Sequence, residues 1–228
     1  MRRFFCPVLP QKHQPLVSVD QDVSHHVLRV VGIAPGERVE LFDGQGEGCI
    51  ASLAKVEAGI AFFHFEEVAV VRNVAHELWL LVGLLRQQAF SNVIRMSCEI
   101  GVSKLLPIVC ERSVARGNKQ QRWQKIADAA TGQSGRTKKM QVCSLRSFQE
   151  GLQSVAQGFY KVVLQPGSKP LRANSFPGAL LIGPEGGLSP NEIQMAVELQ
   201  WNVAGLGPLT LKADTAAIVA AGLMLRGC

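Results

Sequence analysis

Three stretches in the C-terminal half end an apolar run in glycine and proline: "VVLQPGS" (162–168), "LLIGPEGGLS" (180–189) and "AGLGPLTLKADTA" (204–216). Glycine lets main-chain N–H and C=O groups approach a ligand with no Cβ in the way. Three such turns together make a clamp for a flat heterocycle, held by backbone hydrogen bonds. Each taken alone reads as a tight turn. Glu185 lies in the middle turn. A carboxylate there can accept from a ligand hydroxyl or offset a nearby positive charge; the alternatives are a turn residue paired with a neighbouring base, or a structural contact.

Other site chemistries find no support. There is no GxxxxGK[ST], and "GIAPGE" and "GQGEG" do not follow a strand and open a helix, as a dinucleotide fingerprint must. GxSxG and HExxH are missing. All five histidines lie at or before residue 76, so a Ser-His-Asp or Cys-His arrangement has no partner near the glycine turns. The six cysteines (6, 49, 98, 110, 143, 228) show no CxxC and no regular spacing. They read as thiols in a reducing cytoplasm, and no metal is implied.

The turns need strands to carry them. "ELWLLVGLL", "KLLPIVC", "YKVVLQPG" and "ALLIGPEG" are continuous apolar runs, as expected of strands buried on both faces. "WNVAGLGP" is a last, shorter strand. Between them lie helical patterns: "QAFSNVIRMSCEIGV" ending at Gly101, "KQQRWQKIADAATGQ", "SPNEIQMAVELQ" and the small-residue "ADTAAIVAAGLMLRG". In the third, Ser189 as N-cap, Pro190 at the first position and Glu192 at the third form a capping-box signature. Strands alternating with helices predict an α/β domain with a parallel sheet, and ligands bind beyond the carboxyl ends of such strands.

The first 70 residues differ. "LVSV", "ERVELFDG", "GCIASLAKVEAG" and "IAFFHFEEVAVV" are short, alternating or β-branched runs broken by turn signals. "DQDVSHHVLRVVGI" reads as a short helix with Asp22 or Ser24 as N-cap. Together they predict a small β-barrel. Residues 66–76 hold the boundary, so the expected domains are 1–70 and 74–228. Trp79, Trp123 and Trp201 fall in strands or helices and read as core.

Charge and length narrow the partners. At 228 residues and 47% hydrophobic, the chain has enough apolar material for a real core. No apolar stretch approaches the roughly 20 residues of a membrane span, and "MRRFFCPVLP" makes a poor signal peptide. The expectation is a cytoplasmic protein with no membrane partner. Of the net +6, the window 112–146 carries +8, with nine Lys/Arg against Asp128 alone. A basic segment on a near-neutral body suits a polyanion through phosphate contacts; the plainer reading is a solvated helix face and a charged loop. Residues 1–72 carry seven bases and nine acids, so any nucleic-acid role there needs a local patch.

"LIGPEGGLSPNEI" followed by "LGPLTLKADTAAIVA" resembles the signature pair of the RsmE family of SPOUT-class methyltransferases. "MRRFF" and "HHVLRVV" resemble that family's N-terminal PUA-like RNA-binding barrel, and "CEIGVSKLLPIVCERSV" and "AATGQSGRTKKMQV" its central segments. The resemblance covers the whole chain. It implies a trefoil-knotted α/β domain that works as a homodimer and methylates N3 of a uridine in 16S rRNA of the small ribosomal subunit. S-adenosylmethionine is the implied cofactor.

Carried over by position, the implied cofactor site is Leu164, Ile182, Gly183, Pro184, Glu185, Gly187, Leu206, Gly207, Leu209, Leu211 and Ala216. Methyl transfer from a sulfonium needs positioning and electrostatics more than a nucleophile. The uridine N3–H must lose its proton, so a cation near the uracil oxygens stabilises the developing anion. Lys212 and Arg136 are the implied cations. Asp214 is the acid beside them, a catalytic base or a cap of the last helix. The family pattern Arg-x-Glu-Thr-Ala stands here as Lys212, Ala213, Asp214, Thr215, Ala216, which keeps charge but loses the guanidinium fork and one methylene. Arg2, Arg3, His26, Arg29 and Gln133 are the implied RNA contacts, with simple packing the alternative for His26. Two rival functions stay open: a non-catalytic RNA-binding or assembly factor, and a knotted enzyme acting on a ribose 2′-hydroxyl or on tRNA.

Overall fold

A computed structural model describes residues 1–71, 76–115, 117–172 and 176–226. Part of the expected boundary at 66–76, the start of the expected domain 74–228, Arg116 and Cys228 lie outside the described residues. The chain divides into two compact units, Met1–Asn73 with Thr131–Lys139, and Val74–Ala130 with Met140–Cys228. Thr131–Lys139, which lies inside the expected domain 74–228, groups with the first unit.

The first unit holds β1 (Arg3–Phe5), β2 (Leu16–Ser18), α1 (Gln21–His25), β3 (Arg38–Phe42), β4 (Gly48–Glu57) and β5 (Ile60–Val68). They form a five-stranded mixed sheet of order β1-β3-β4-β5-β2. β1 runs parallel to β3, and the other pairs are antiparallel. Alternation sends Phe4, Val39, Leu41, Ala51, Leu53, Ala61 and Phe63 into one core. The cap of α1 is Asp20, whose side chain accepts from Val23 N–H at 2.8 Å, and not Asp22 or Ser24. Asp22 lies in the first turn. Ser24 is buried, donating to the Val19 carbonyl and accepting from Ala61 N–H. The helix runs on as a π-helical turn, His26–Val31, and stops at Gly32 with φ 72°.

The outer face of β1 and β3 is not left to solvent. Glu40 and Phe42 point away from the core yet are 4% and 2% exposed. Thr131–Lys139 covers them. Arg3 pairs with Glu40 at 2.9 Å and donates to the Gly132 and Arg136 carbonyls. Thr137 Oγ1 donates to the Gly46 carbonyl, and Lys139 N–H to the Gly44 carbonyl.

The second unit holds β6 (Leu78–Gly83), α2 (Gln87–Ile100), β7 (Lys104–Val109), most of α3 (Gln120–Ser134), β8 (Gln141–Val142), β9 (Arg146–Ser147), α4 (Phe148–Gln153), β10 (Tyr160–Leu164), β11 (Gly178–Ile182), α5 (Pro190–Glu198), β12 (Asn202–Ala204) and α6 (Ala213–Arg226). The sheet runs β12-β10-β11-β6-β7-β8, with β9 also on β7, and every pair is parallel. Both faces are covered, as the unbroken apolar runs predict. Leu78, Leu80, Val82, Leu105, Val162, Leu180 and Ile182 pack under α2, α3 and α6. Leu81, Leu106, Ile108, Val163, Ala179 and Leu181 pack under α4 and α5. Leu78, Leu80, Leu81 and Val82 of β6 are fully buried. Each such side chain contributes about 1.5–3 kcal/mol, so β6 and β11 form a stiff centre whose ends can hold a site. Trp123 and Trp201 are buried, and Trp79 is half-buried beneath Lys104.

Sequence reasoning passes over β8, β9 and α4. The "SFQE" at 147–150 is a capping box that marks α4, with Ser147 accepting from Glu150 N–H and Glu150 reaching back. The capping box at Ser189 and Glu192 and the Gly101 stop, with φ 113°, are as expected.

Candidate active site

The carboxyl ends of β6, β10, β11 and β12 converge on one cavity of about 730 Å3 within the second unit. Strand order dictates this, because β12, β10, β11 and β6 are sheet neighbours running in one direction. The turn after β11 is tight. Gly187 N–H donates to the Pro184 carbonyl at 2.8 Å, and Gly187 sits at φ 72°. A Cβ on Gly183 would lie 2.9 Å from Leu188 Cγ and 3.0 Å from its backbone nitrogen. The β6 end passes as closely: a Cβ on Gly83 would lie 2.6 Å from both the nitrogen and Cδ of Pro184. Gly205, after β12, leaves only 2.8 Å to the Ser168 carbonyl, and its N–H and C=O bond to Lys169 and Leu171. The β12 turn is therefore packed against the β10 turn and the β11 turn against the end of β6, beyond what each turn alone requires.

Two helices open onto the cavity. α2 begins at Arg86, which no side chain of its own segment caps. Glu185 reaches across from the β11 turn, and its Oε1 accepts from Arg86 N–H at 3.0 Å. That contact ties the β6 end to the β11 turn. α6 begins with the Lys212 carbonyl accepting from Ala216 N–H at 2.8 Å. Asp214 is a first-turn residue and accepts from Thr215 N–H at 2.9 Å, so it serves the helix start without being its N-cap.

Leu164, Ile182, Gly183, Pro184, Glu185, Gly187, Leu206, Gly207, Leu209, Leu211 and Ala216 all line this cavity, as do Lys212 and Asp214. Arg136 and Gln133 do not; both belong to the first unit. Arg136 is 8% exposed and its Nε donates to the Lys138 carbonyl. Arg3 is also turned inward, by the contacts that hold Thr131–Lys139. Arg2, His26 and Arg29 are exposed, Arg2 donating to the Val31 carbonyl and His26 meeting Phe4 edge-on at 5.9 Å. Arg86, Gln165 and Thr210 line the cavity unforeseen. Arg86 had a signal: it ends "VGLLR", the carboxyl end of a buried strand, where ligands bind.

The lining sets its chemistry. Leu164, Ile182, Leu206, Leu209 and Leu211 supply apolar walls. The glycine turns bring main-chain groups to the edge. Arg86 and Lys212 are cations and Glu185 and Asp214 anions on the same wall set. Among the described residues no cluster of three or more His, Cys, Asp or Glu is placed to hold a metal. Cys110, near the Gly83 crossing, is inert, its thiol pushed up to about 12 by burial and by Glu192.

Residues 72–225 match the family model of the RNA methyltransferase domain. The chain belongs to that family. Its RNA methyltransferase domain thus spans the second unit and Thr131–Lys139. Two relatives align over nearly the full length or most of it. Ribosomal RNA small subunit methyltransferase E of Bacillus subtilis is 27% identical, covering 96% of this chain and 94% of its own. The Synechocystis protein of the same name is 28% identical over 86% of this chain. A Neisseria gonorrhoeae ribosomal RNA small subunit methyltransferase E bound to S-adenosyl methionine superposes with a TM-score of 0.90 at 26% identity, covering 97% of this chain and 95% of that one. A putative Legionella pneumophila methyltransferase with bound SAM gives 0.86 at 26% identity, covering 97% and 96%.

Proposed function

We propose that this RNA methyltransferase transfers a methyl group from S-adenosylmethionine to N3 of a uridine in the 16S rRNA of the small ribosomal subunit. The observation that carries the reading is the cavity: one enclosure of about 730 Å3 walled by all eleven residues expected at a cofactor site. Its size falls within the roughly 300–1,000 Å3 of small-molecule pockets. The residues fit the group. Leucines face a flat heterocycle, the glycine turns offer backbone donors and acceptors to its edge, and a Cβ at Gly183 or Gly205 would force the lining turns apart at Leu188 or Ser168.

When bound, S-adenosylmethionine supplies a methyl made electrophilic by its sulfonium. The chain's residues do the rest. The Glu185 contact with Arg86 N–H holds the β6 and β11 ends together. Lys212 and Arg86 place positive charge in the cavity for the uracil anion that forms as N3–H is lost. Asp214 is the carboxylate there that takes the proton.

The finer architecture belongs to the same reading: a trefoil knot in the second unit, a PUA-like first unit, a cytoplasmic homodimer. Arg2, His26, Arg29 and Gln133, all exposed on the first unit, are its RNA contacts. The dimer reading draws on α6, where Val219 and Leu223 are 40% and 48% exposed one turn apart, opposite buried Ala217, Ala220, Ala221 and Met224.

Methyl transfer from labelled S-adenosylmethionine to small subunits lacking N3-methyluridine tests the reading. N3-methyluridine among the product nucleosides is the expected result. A methylated ribose, or label in tRNA alone, replaces the substrate; neither transfer nor cofactor binding overturns the enzyme and leaves an RNA-binding factor.

A further inference from the structure

The basic window does not belong to one surface. Its Thr131–Lys139 part leaves the second unit and joins the first. Residues 1–72 carry seven bases and nine acids; the segment adds Arg136, Lys138 and Lys139 and no acid, which moves the first unit from −2 to +1. The addition is local. Lys138 pairs by backbone bridges with both Gly44 and Gln45. Lys139 Nζ lies 3.5 Å from the Phe5 ring centroid, and its stem runs where a Gly44 side chain would stand. Arg3 holds the segment from beneath through the Gly132 and Arg136 carbonyls. Within the turn, Asp43 Oδ1 accepts from the N–H groups of Gln45, Gly46 and Glu47, and Glu47 is the exposed acid.

We propose that the outer edge of the first unit, at Phe5 and the 43–47 turn, is an RNA-phosphate contact surface whose cations are lent by Lys138 and Lys139. Arg3 is its clamp and not a contact. The logic is geometric. The sheet's own sequence is net acidic, so a phosphate surface on it needs a local patch, and a segment tied down by several backbone and side-chain bonds supplies one. The Phe5 ring holds the Lys139 ammonium in one place by a cation–π contact. Lys138 is exposed beside it. This surface rests on the reading that RNA is the substrate.

The test is equilibrium binding of purified 16S rRNA over a KCl series, with no methyl transfer involved. Each phosphate contact contributes about 0.7–0.9 to the slope of log K against log salt. Lys138→Ala alone lowers the slope by about 1, and Lys138→Ala/Lys139→Ala by about 2. S-adenosylmethionine binding by the same proteins stays at the wild-type value. Lys12→Ala/Lys55→Ala removes the same charge from the same unit outside the segment and leaves the slope unchanged. An unchanged slope in the Lys138 and Lys139 variants, or an equal fall in the control, overturns the surface. Wild-type protein that binds rRNA with the segment-dependent slope yet methylates nothing overturns the reaction and leaves the surface standing.

Discussion

At the scale of single residues, the proposed reaction asks which cation meets the uracil. Lys212 departs from the family's arginine, and Arg136, the other expected cation, is buried in the first unit; Arg86 lines the cavity in its place. Removing one donor aimed at developing charge costs about 100-fold or more in kcat. Lys212→Ala is expected to lose about that much at unchanged cofactor affinity, and Lys212→Arg to keep or exceed wild-type turnover, since it restores a fork. Single-turnover rates with separately measured cofactor binding check both; equal loss of affinity would make Lys212 a cofactor contact. The thiols are a second residue-scale case. Burial raises Cys6 to about 11 and Cys49 to about 12, as it does Cys110. The folded state favours the protonated thiol, so this stabilisation is complete below the unfolded value of 9.0 and is lost as pH rises from there toward 12. Native protein at a pH of about 8 should leave these three unalkylated by iodoacetamide. The urea midpoint should fall as pH climbs past about 9.

Elements were legible where their own residues decide them. The unbroken apolar runs of β6 and β11, the Gly101 stop and the Ser189 capping box are local signals, and each appears where the pattern puts it. The residues that the family resemblance implies for a cofactor site line one cavity because they lie in turns at the ends of neighbouring strands. Arg86 was missed because no glycine-proline turn follows β6, and its one signal is its place just past the carboxyl end of a buried strand. The crossing of the β6 and β11 ends was equally hidden, since Gly83 and Pro184 are far apart in sequence. It makes a sharp prediction. A Cβ on Gly83 meets backbone at 2.6 Å, so something must move. Gly83→Ala is expected to destabilise the fold by about 1–3 kcal/mol and to weaken S-adenosylmethionine binding by displacing Pro184. Urea unfolding and calorimetry read the two effects. A variant of wild-type stability and affinity would show that the turn yields freely and does not shape the cavity.

For the whole molecule, the least legible feature is the reassignment of Thr131–Lys139. Its partners Arg3 and Gly46 lie 91 to 133 residues away, and no periodicity within the segment encodes them. The same long-range blindness applies to assembly, where α6 offers a clue that packing within one protomer leaves unexplained. Gly222 lies in mid-helix, where glycine is destabilising by about 0.5–1 kcal/mol relative to alanine. A Cβ there would meet nothing within 4 Å in the protomer, and its φ is ordinary. Neither crowding nor backbone conformation asks for it. It stands three residues after Val219 and directly before Leu223, the exposed apolar pair one turn apart, and so borders their stripe. A second copy approaching closely along that face is what a missing Cβ accommodates. In the proposed dimer, Gly222→Leu should therefore shift sedimentation toward monomer and lower methyl transfer, while the isolated helix gains propensity. Leu223→Asp should do the same by charging the stripe. A Gly222→Leu protein that stays dimeric, and is only more resistant to urea, would move the dimer contact off α6.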